Sequence, residues 1–102
     1  MKYVKADINT INGQWSIYFT TEFYEKFRQY YNHNGSYFNI FYRIFGLLPQ
    51  DFYHMAAIKY SAFFTPNPYY KNHILMFFKD KKDCEALCKE INVRLSYCVG
   101  RF

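Results

Sequence analysis

Hydrophobic and polar residues alternate with period two over 14–20, where Trp15, Ile17 and Phe19 interleave with Ser16, Tyr18 and Thr20. That pattern predicts a strand with one face in a core. The turn dipeptide Asn12-Gly13 precedes it, and over 2–11 Tyr3, Lys5 and Asp7 alternate with Val4, Ala6 and Ile8. The two segments are therefore expected to form a hairpin. Thr20 or Thr21 then caps a helix, because Glu22 and Glu25 fall in a first turn whose exposed N–H groups favour carboxylates. Phe23, Phe27, Tyr30 and Tyr31 form its apolar stripe, and it should end near residues 32–35, Asn-His-Asn-Gly.

Beyond Ser36 the pattern is less selective. Phe38, Phe41, Tyr42 and Phe45 follow helical spacing up to Gly46, yet Tyr, Phe and Ile also suit a strand, so 36–64 stays open between helix and strand. Pro49 breaks the chain, and 50–55 reads as a helical turn or a loop. Residues 57–64 alternate as Ile58, Tyr60, Ala62 and Phe64, which predicts a strand, although Asp51 is placed to cap a helix across the same region. Two prolines in 65–72 predict an exposed connection. Residues 73–78 form a continuous apolar strand. A helix capped by Asp80 or Asp83 buries Cys84, Leu87, Cys88 and Ile91 and turns Lys81, Lys82, Glu85, Lys89 and Glu90 to water. Val93, Leu95, Tyr97 and Val99 alternate as a last strand over 93–99.

This order predicts an α+β fold, a ferredoxin-like split βαβ sandwich with two main helices on one face of an antiparallel sheet and a helical or irregular insertion. A mainly helical middle is the alternative. The other sheet face would be free, and an open sheet face bearing aromatics is a platform for a base or a partner.

Composition narrows the class. The chain has 102 residues, of which 12 are Tyr, 12 Phe and 1 Trp, and 51% are hydrophobic. A single domain spanning 1–102 is expected, burying roughly 60–70% of its unfolded surface. The apolar run from Ile74 to Phe78 is far short of the roughly 20 residues of a membrane-spanning helix. Asp7 interrupts the N-terminal segment before any apolar stretch, so a secretory signal is not expected. Three cysteines, Cys84, Cys88 and Cys98, cannot all pair within the chain, which fits reduced thiols in a cytoplasm, including a host cytoplasm for a phage protein. Cys84 and Cys88 are one helical turn apart, but His33, His54 and His73 are scattered, so no metal site and no cofactor are expected.

Residues 71–92 resemble the second half of an RNA-recognition motif. Lys71 and Phe78 fit the ends of its octapeptide strand, and Asp80, Asp83, Ala86 and Leu87 fall in register with the helix that follows. His73 and Leu75 stand where that family carries stacking aromatics, Asn72 and Ile74 replace its small residues, and the partner strand 17–20 keeps an aromatic at the motif position Tyr18. The resemblance implies the ferredoxin-like fold and, through it, contact with nucleic acid on the sheet.

The net charge of +5 permits contact with phosphates or acidic protein faces. Tyr69 and Tyr70 beside Lys71 offer rigid apolar area with polar tips, and Lys79, Lys81 and Lys82 add positive field close by in the chain. With Tyr18 and His73 these residues make up the candidate binding set. No Gly-rich phosphate loop, nucleophile elbow or metal-ligand run is present, so no enzyme is expected. The expected function is a small non-catalytic binding protein, with nucleic acid or a nucleic-acid-handling protein as partner. The alternative draws on composition: heavy use of Tyr, Phe, Asn, Lys and Ile is similar to that of phage and mobile-element accessory proteins, the anti-CRISPR type included, which inhibit a host or defence complex. A homodimer is a further expected state, since so many aromatics exceed what a small domain buries.

Overall fold

The computed structural model describes residues 3–10, 12–28, 43–63 and 73–98. Strands β1 (Val4–Ile8) and β2 (Trp15–Phe19) form the expected antiparallel hairpin, with Val4 opposite Phe19 and Ile8 opposite Trp15. The Asn9 N–H donates to the Gln14 carbonyl at 2.7 Å and the Gly13 N–H to the Asn9 carbonyl at 2.8 Å. Gly13 closes this turn at φ +71°, a conformation that costs glycine little and most side chains more. Strand β3 (His73–Phe78) pairs antiparallel with β2, placing Trp15 opposite Phe78 and Ser16 opposite Phe77; the register then shifts, and Tyr18 faces His73. The sheet order is β1-β2-β3.

Helix α1 (Thr21–Phe27) begins where the sequence places it. The Thr20 hydroxyl accepts from the Phe23 N–H at 3.3 Å and donates to the Tyr3 carbonyl at 3.1 Å, so one side chain caps the helix and ties it to β1. Phe23 and Phe27 are buried, and the Phe23 ring stacks on Phe19 with centroids 4.3 Å apart. The expected continuation through Tyr30 and Tyr31 and most of the element begun at Ser36 lie outside the described residues. Residues 43–45 are helical and end at Gly46 with φ +66°.

Helix α2 (Pro49–Tyr60) replaces the strand expected over 57–64. Proline sits in its first turn, where the missing N–H costs nothing. Phe52, Ala56 and Tyr60 are buried at spacings of four, while Ile58 is 73% exposed, so helical period overrides the alternation. Ser61 terminates the helix at φ +56°. Only the end of the segment is extended, where Phe63 exchanges two main-chain bonds with Phe77, of 2.9 and 2.8 Å.

Helix α3 (Lys81–Cys98) overturns the last expected strand, over 93–99. The stripe of Cys84, Leu87, Cys88 and Ile91 continues to Leu95, four residues on and fully buried, and neither Gly nor Pro interrupts the run. Val93 and Tyr97, which alternation would bury with Leu95, are 47% and 68% exposed. The described elements therefore run β-β-α-α-β-α around a three-stranded antiparallel sheet: the fold is α+β, and of the strands of the split βαβ order expected over 57–64 and 93–99, the described residues 57–60 and 93–98 are helical.

The core lies between one sheet face and the helices. Val4, Ile17, Met76 and Phe78 meet Phe23, Phe27, Phe52, Ala56, Leu87, Ile91 and Leu95 there. The opposite face is not the free platform expected: Ser16 and Phe77 on it are fully buried, and the Phe63 ring lies 6.0 Å from that of Phe77. The Ser16 hydroxyl donates to the Met76 carbonyl at 3.2 Å, and the Cys84 thiol donates to the Ser16 carbonyl at 3.4 Å. Cys84 and Cys88 are both buried and form no disulfide among the described residues, small hydrophobes in a packed interior. Among the described residues no helix is long and apolar enough to cross a membrane.

Candidate functional site

The best candidate lies where the sheet meets the start of α3. Strand β3 ends at Phe78, opposite Trp15, and after Lys79 and Asp80 the helix opens at Lys81. Lys79, Lys81 and Lys82 are thus gathered at one end of the sheet, and all three are exposed. The Lys81 ammonium stands 5.4 Å from the centroid of the Trp15 ring, within the range at which the ring quadrupole attracts a cation. Trp15 packs one side against the core and leaves the rest open. Ile8, opposite Trp15 in β1, is 46% exposed and extends the apolar floor. Asp80 and Asp83 lie in the same stretch, so attraction here comes from individual ammonium groups rather than a broad positive field.

This corner offers a flat indole face, an apolar shoulder and three exposed cations. An unstacked base can lie on the indole once the exposed Lys81 side chain swings off it, with the lysines then meeting the phosphates on either side. Among the described residues, no group of three or more His, Cys, Asp and Glu side chains is arranged to hold a metal ion.

The sequence-derived set divides. Lys79, Lys81 and Lys82 are together. Tyr18 is half-buried on the sheet face away from α3 and faces His73 across the strand pair, so this couple is separate from the lysines. Tyr69, Tyr70 and Lys71 lie outside the described residues. The residue that sequence reasoning missed is Trp15, assigned there to the core face. The Asn12-Gly13 turn puts residue 15 at the end of its strand, next to solvent on one side.

A second polar cluster joins α2 to α3. The Glu90 carboxylate accepts from Lys59 at 3.4 Å, from Arg94 Nε and Nη2 at 3.3 and 3.2 Å, and from the Tyr60 hydroxyl. Arg94 Nη1 donates to the Ile44 carbonyl at 2.8 Å, and its guanidinium lies 4.5 Å above the Phe45 ring. Burial pushes the Glu90 carboxyl up, but the Tyr60 hydroxyl, Lys59 and Arg94 outweigh it and hold the group below the ordinary glutamate range. Burial, reinforced by Glu90, raises the Tyr60 hydroxyl. The Arg94 guanidinium and the Glu90 carboxylate are thus engaged within the fold, so the cluster pins α2 and the turn at 44–46 to α3. The strand expected over 93–99 hid the Glu90–Arg94 pair, because an i,i+4 contact needs both residues on one helix.

A third feature had no sequence signal. The Asn92 side chain, on α3, accepts from the Tyr3 and Val4 N–H groups at 2.6 and 2.9 Å and donates to the Val4 carbonyl at 3.0 Å. One carboxamide serves as a surrogate strand for the start of β1.

A scan against protein-family models finds no match, and comparisons with curated proteins and with solved structures find none either, so the site is read from its own chemistry.

Proposed function

We propose that the protein is a non-catalytic cytoplasmic module that binds single-stranded nucleic acid at the Trp15 and Lys81 corner. The observation that carries this reading is the Lys81 ammonium over the exposed part of the indole, flanked by Lys79 and Lys82. A double helix keeps its bases stacked on one another, whereas a single strand can place one on Trp15. Trp15 is the chain's one tryptophan, so its fluorescence reports binding directly. Titration with an oligothymidylate should quench it. Three phosphate contacts on a single strand predict a log–log salt slope of roughly −2. Trp15→Leu, followed by anisotropy of a labelled oligonucleotide, should weaken binding by about 1–3 kcal/mol. Lys79→Ala with Lys82→Ala should cut the slope to roughly −0.7. Unchanged Trp15 emission together with unchanged anisotropy at low salt would refute the reading.

A protein partner is the second reading, in the manner of a phage or mobile-element accessory protein of the anti-CRISPR type. Ile58, Val93 and Tyr97 favour it, being large apolar side chains left exposed on α2 and α3. Capture from host lysate before and after nuclease separates the two: a partner lost with nuclease supports nucleic acid, and one retained supports a protein interface.

A further inference from the structure

Helix α3 runs beside β1 and closes on it at Val4, whose N–H and carbonyl both bond to the Asn92 side chain. The two elements then part. The Tyr3 carbonyl accepts from the Thr20 N–H and the Asn9 N–H donates to the Gln14 carbonyl, so alternation along the hairpin turns the main-chain groups of Val4, Ala6 and Ile8 away from β2. Asn92 serves Val4, and the Ile8 N–H is taken by the Asp7 carboxylate at 2.8 Å. Between them, Ala6 directs its N–H and carbonyl into a cavity of about 520 Å³ that separates β1 from α3. Among the described residues it is lined by Lys5 and Ala6 on the strand side and by Glu85, Lys89 and Val93 on the helix side.

An extended residue points its N–H and its carbonyl the same way, so Ala6 offers a donor beside an acceptor. The Watson–Crick edge of an unpaired base is the complement: thymine presents the O4 acceptor beside the N3 donor, and adenine the N1 acceptor beside the N6 donor. A base already paired has spent that edge. Exposed Val93 gives the ring apolar surface, while Lys5 and Lys89 are exposed cations that no ion pair among the described residues engages. Glu85 opposes them in part. The groove also continues the Trp15 corner, because Ile8, opposite Trp15, lies two residues or about 7 Å from Ala6 along β1, and Lys81 lies one turn before Glu85 on α3. Neighbouring bases of one strand can reach both places.

We propose that the groove between β1 and α3 is a second base site, which seats the Watson–Crick edge of a nucleotide next to the one on Trp15 against the Ala6 N–H and carbonyl, with Lys5 and Lys89 meeting its phosphates. Asn92 keeps its bonds to Val4, and α3 stays where it is. The inference rests on the corner being a single-strand site and adds recognition of a base edge to stacking. Each of the four bases carries a donor beside an acceptor on that edge, so occupancy of the groove does not depend on sequence.

Two oligonucleotides test it on the wild-type chain. Hexathymidylate should quench Trp15 and shift the Ala6 amide resonance of isotope-labelled protein. The same hexamer built from N3-methylthymidine keeps its rings and phosphates but has lost the N3 donor, so it should still quench Trp15, leave the Ala6 amide unmoved and bind about fivefold more weakly or worse. Lys5→Ala with Lys89→Ala, checked for folding by circular dichroism, should reduce the log–log salt slope for hexathymidylate by roughly 1.4 while the quenching at saturation persists. Glu85→Gln should tighten binding. Quenching of Trp15 without an Ala6 shift, or a methylated hexamer that binds as tightly as its parent, overturns the groove and leaves the corner standing. An Ala6 shift with unchanged Trp15 emission supports the groove and overturns the corner, and no binding of either hexamer overturns both.

Discussion

Removing the Asn92 carboxamide is the sharpest probe of how α3 holds β1. Asn92→Ala deletes three hydrogen bonds, of 2.6, 2.9 and 3.0 Å, that link the helix to Tyr3 and Val4 across 88 or 89 residues of sequence. Each is worth about 0.5–1.5 kcal/mol net. The contacts are only partly buried, so water replaces some of what is lost, and a total of roughly 2 kcal/mol follows. Alanine returns up to about 0.6 kcal/mol through its better helix propensity. The hydrogen bonds win, leaving a net loss of roughly 1.5 kcal/mol. For a domain of this size that lowers Tm by about 6–12 °C.

The measurement is thermal and urea unfolding paired with hydrogen exchange. Protection of the Tyr3 and Val4 amides should fall well before that of the central strand. Asn92→Asp separates the two halves of the interaction. It keeps an acceptor for both N–H groups but sets a carboxylate oxygen against the Val4 carbonyl, so it should fall between wild type and Asn92→Ala. A loss in Asn92→Ala of under about 0.5 kcal/mol, with Tyr3 and Val4 still protected, would refute the argument that this side chain closes the edge.

Two further predictions concern the joints between elements. Glu90 has a folded pKa below its unfolded value of about 4.3, so its stabilisation is complete above that value and is lost as pH falls through the folded one; Glu90→Gln should flatten the acid limb of stability against pH, and an unchanged limb would contradict it. Thr20→Ala removes the N-cap of α1 and the hydroxyl bond to Tyr3 together, and a loss of about 1 kcal/mol in urea unfolding is expected; a neutral result would show that the cap is made by water instead.

The hairpin, the start of α1, β3 and the start of α3 were legible because each rests on short-range chemistry. Asn12-Gly13 needs only its own turn, and Thr20 reaches only three residues on. The ends of α2 and α3 were not, because Ile58 to Ala62 and Val93 to Tyr97 satisfy a period of two as well as one of 3.6. Packing chose between them. Tyr60 and Leu95 reach the core only on helices, which leaves Ile58 and Tyr97 in solvent. The same ambiguity hid Asn92, since a residue just before an expected strand gives no hint that its amide completes another strand. Of the candidate site, the three lysines were read from their clustering, but Trp15 was taken for core because alternation reports which side of a strand a residue is on and not how near the sheet's end it sits.

That position has a consequence for separating binding from folding. The buried members of the core are Phe78, across the strand pair from Trp15, and Ile17 and Met76 further in, and the groups that tie the elements together are Thr20, Glu90, Arg94 and Asn92. None of these is a lysine of the corner. Lys81 lies eleven residues before Asn92 on α3, about 16 Å along the helix axis, beyond the 7–10 Å within which substitutions usually couple. An exposed cation–π contact of about 0.5–1 kcal/mol is all that Lys81 adds to the fold. Substitutions of the corner's lysines therefore act on an exposed surface that the rest of the domain does not need for its own packing, and a defect in binding there can be read as chemistry rather than as unfolding, whereas Trp15, packed against the core on one side, needs a folding control beside it.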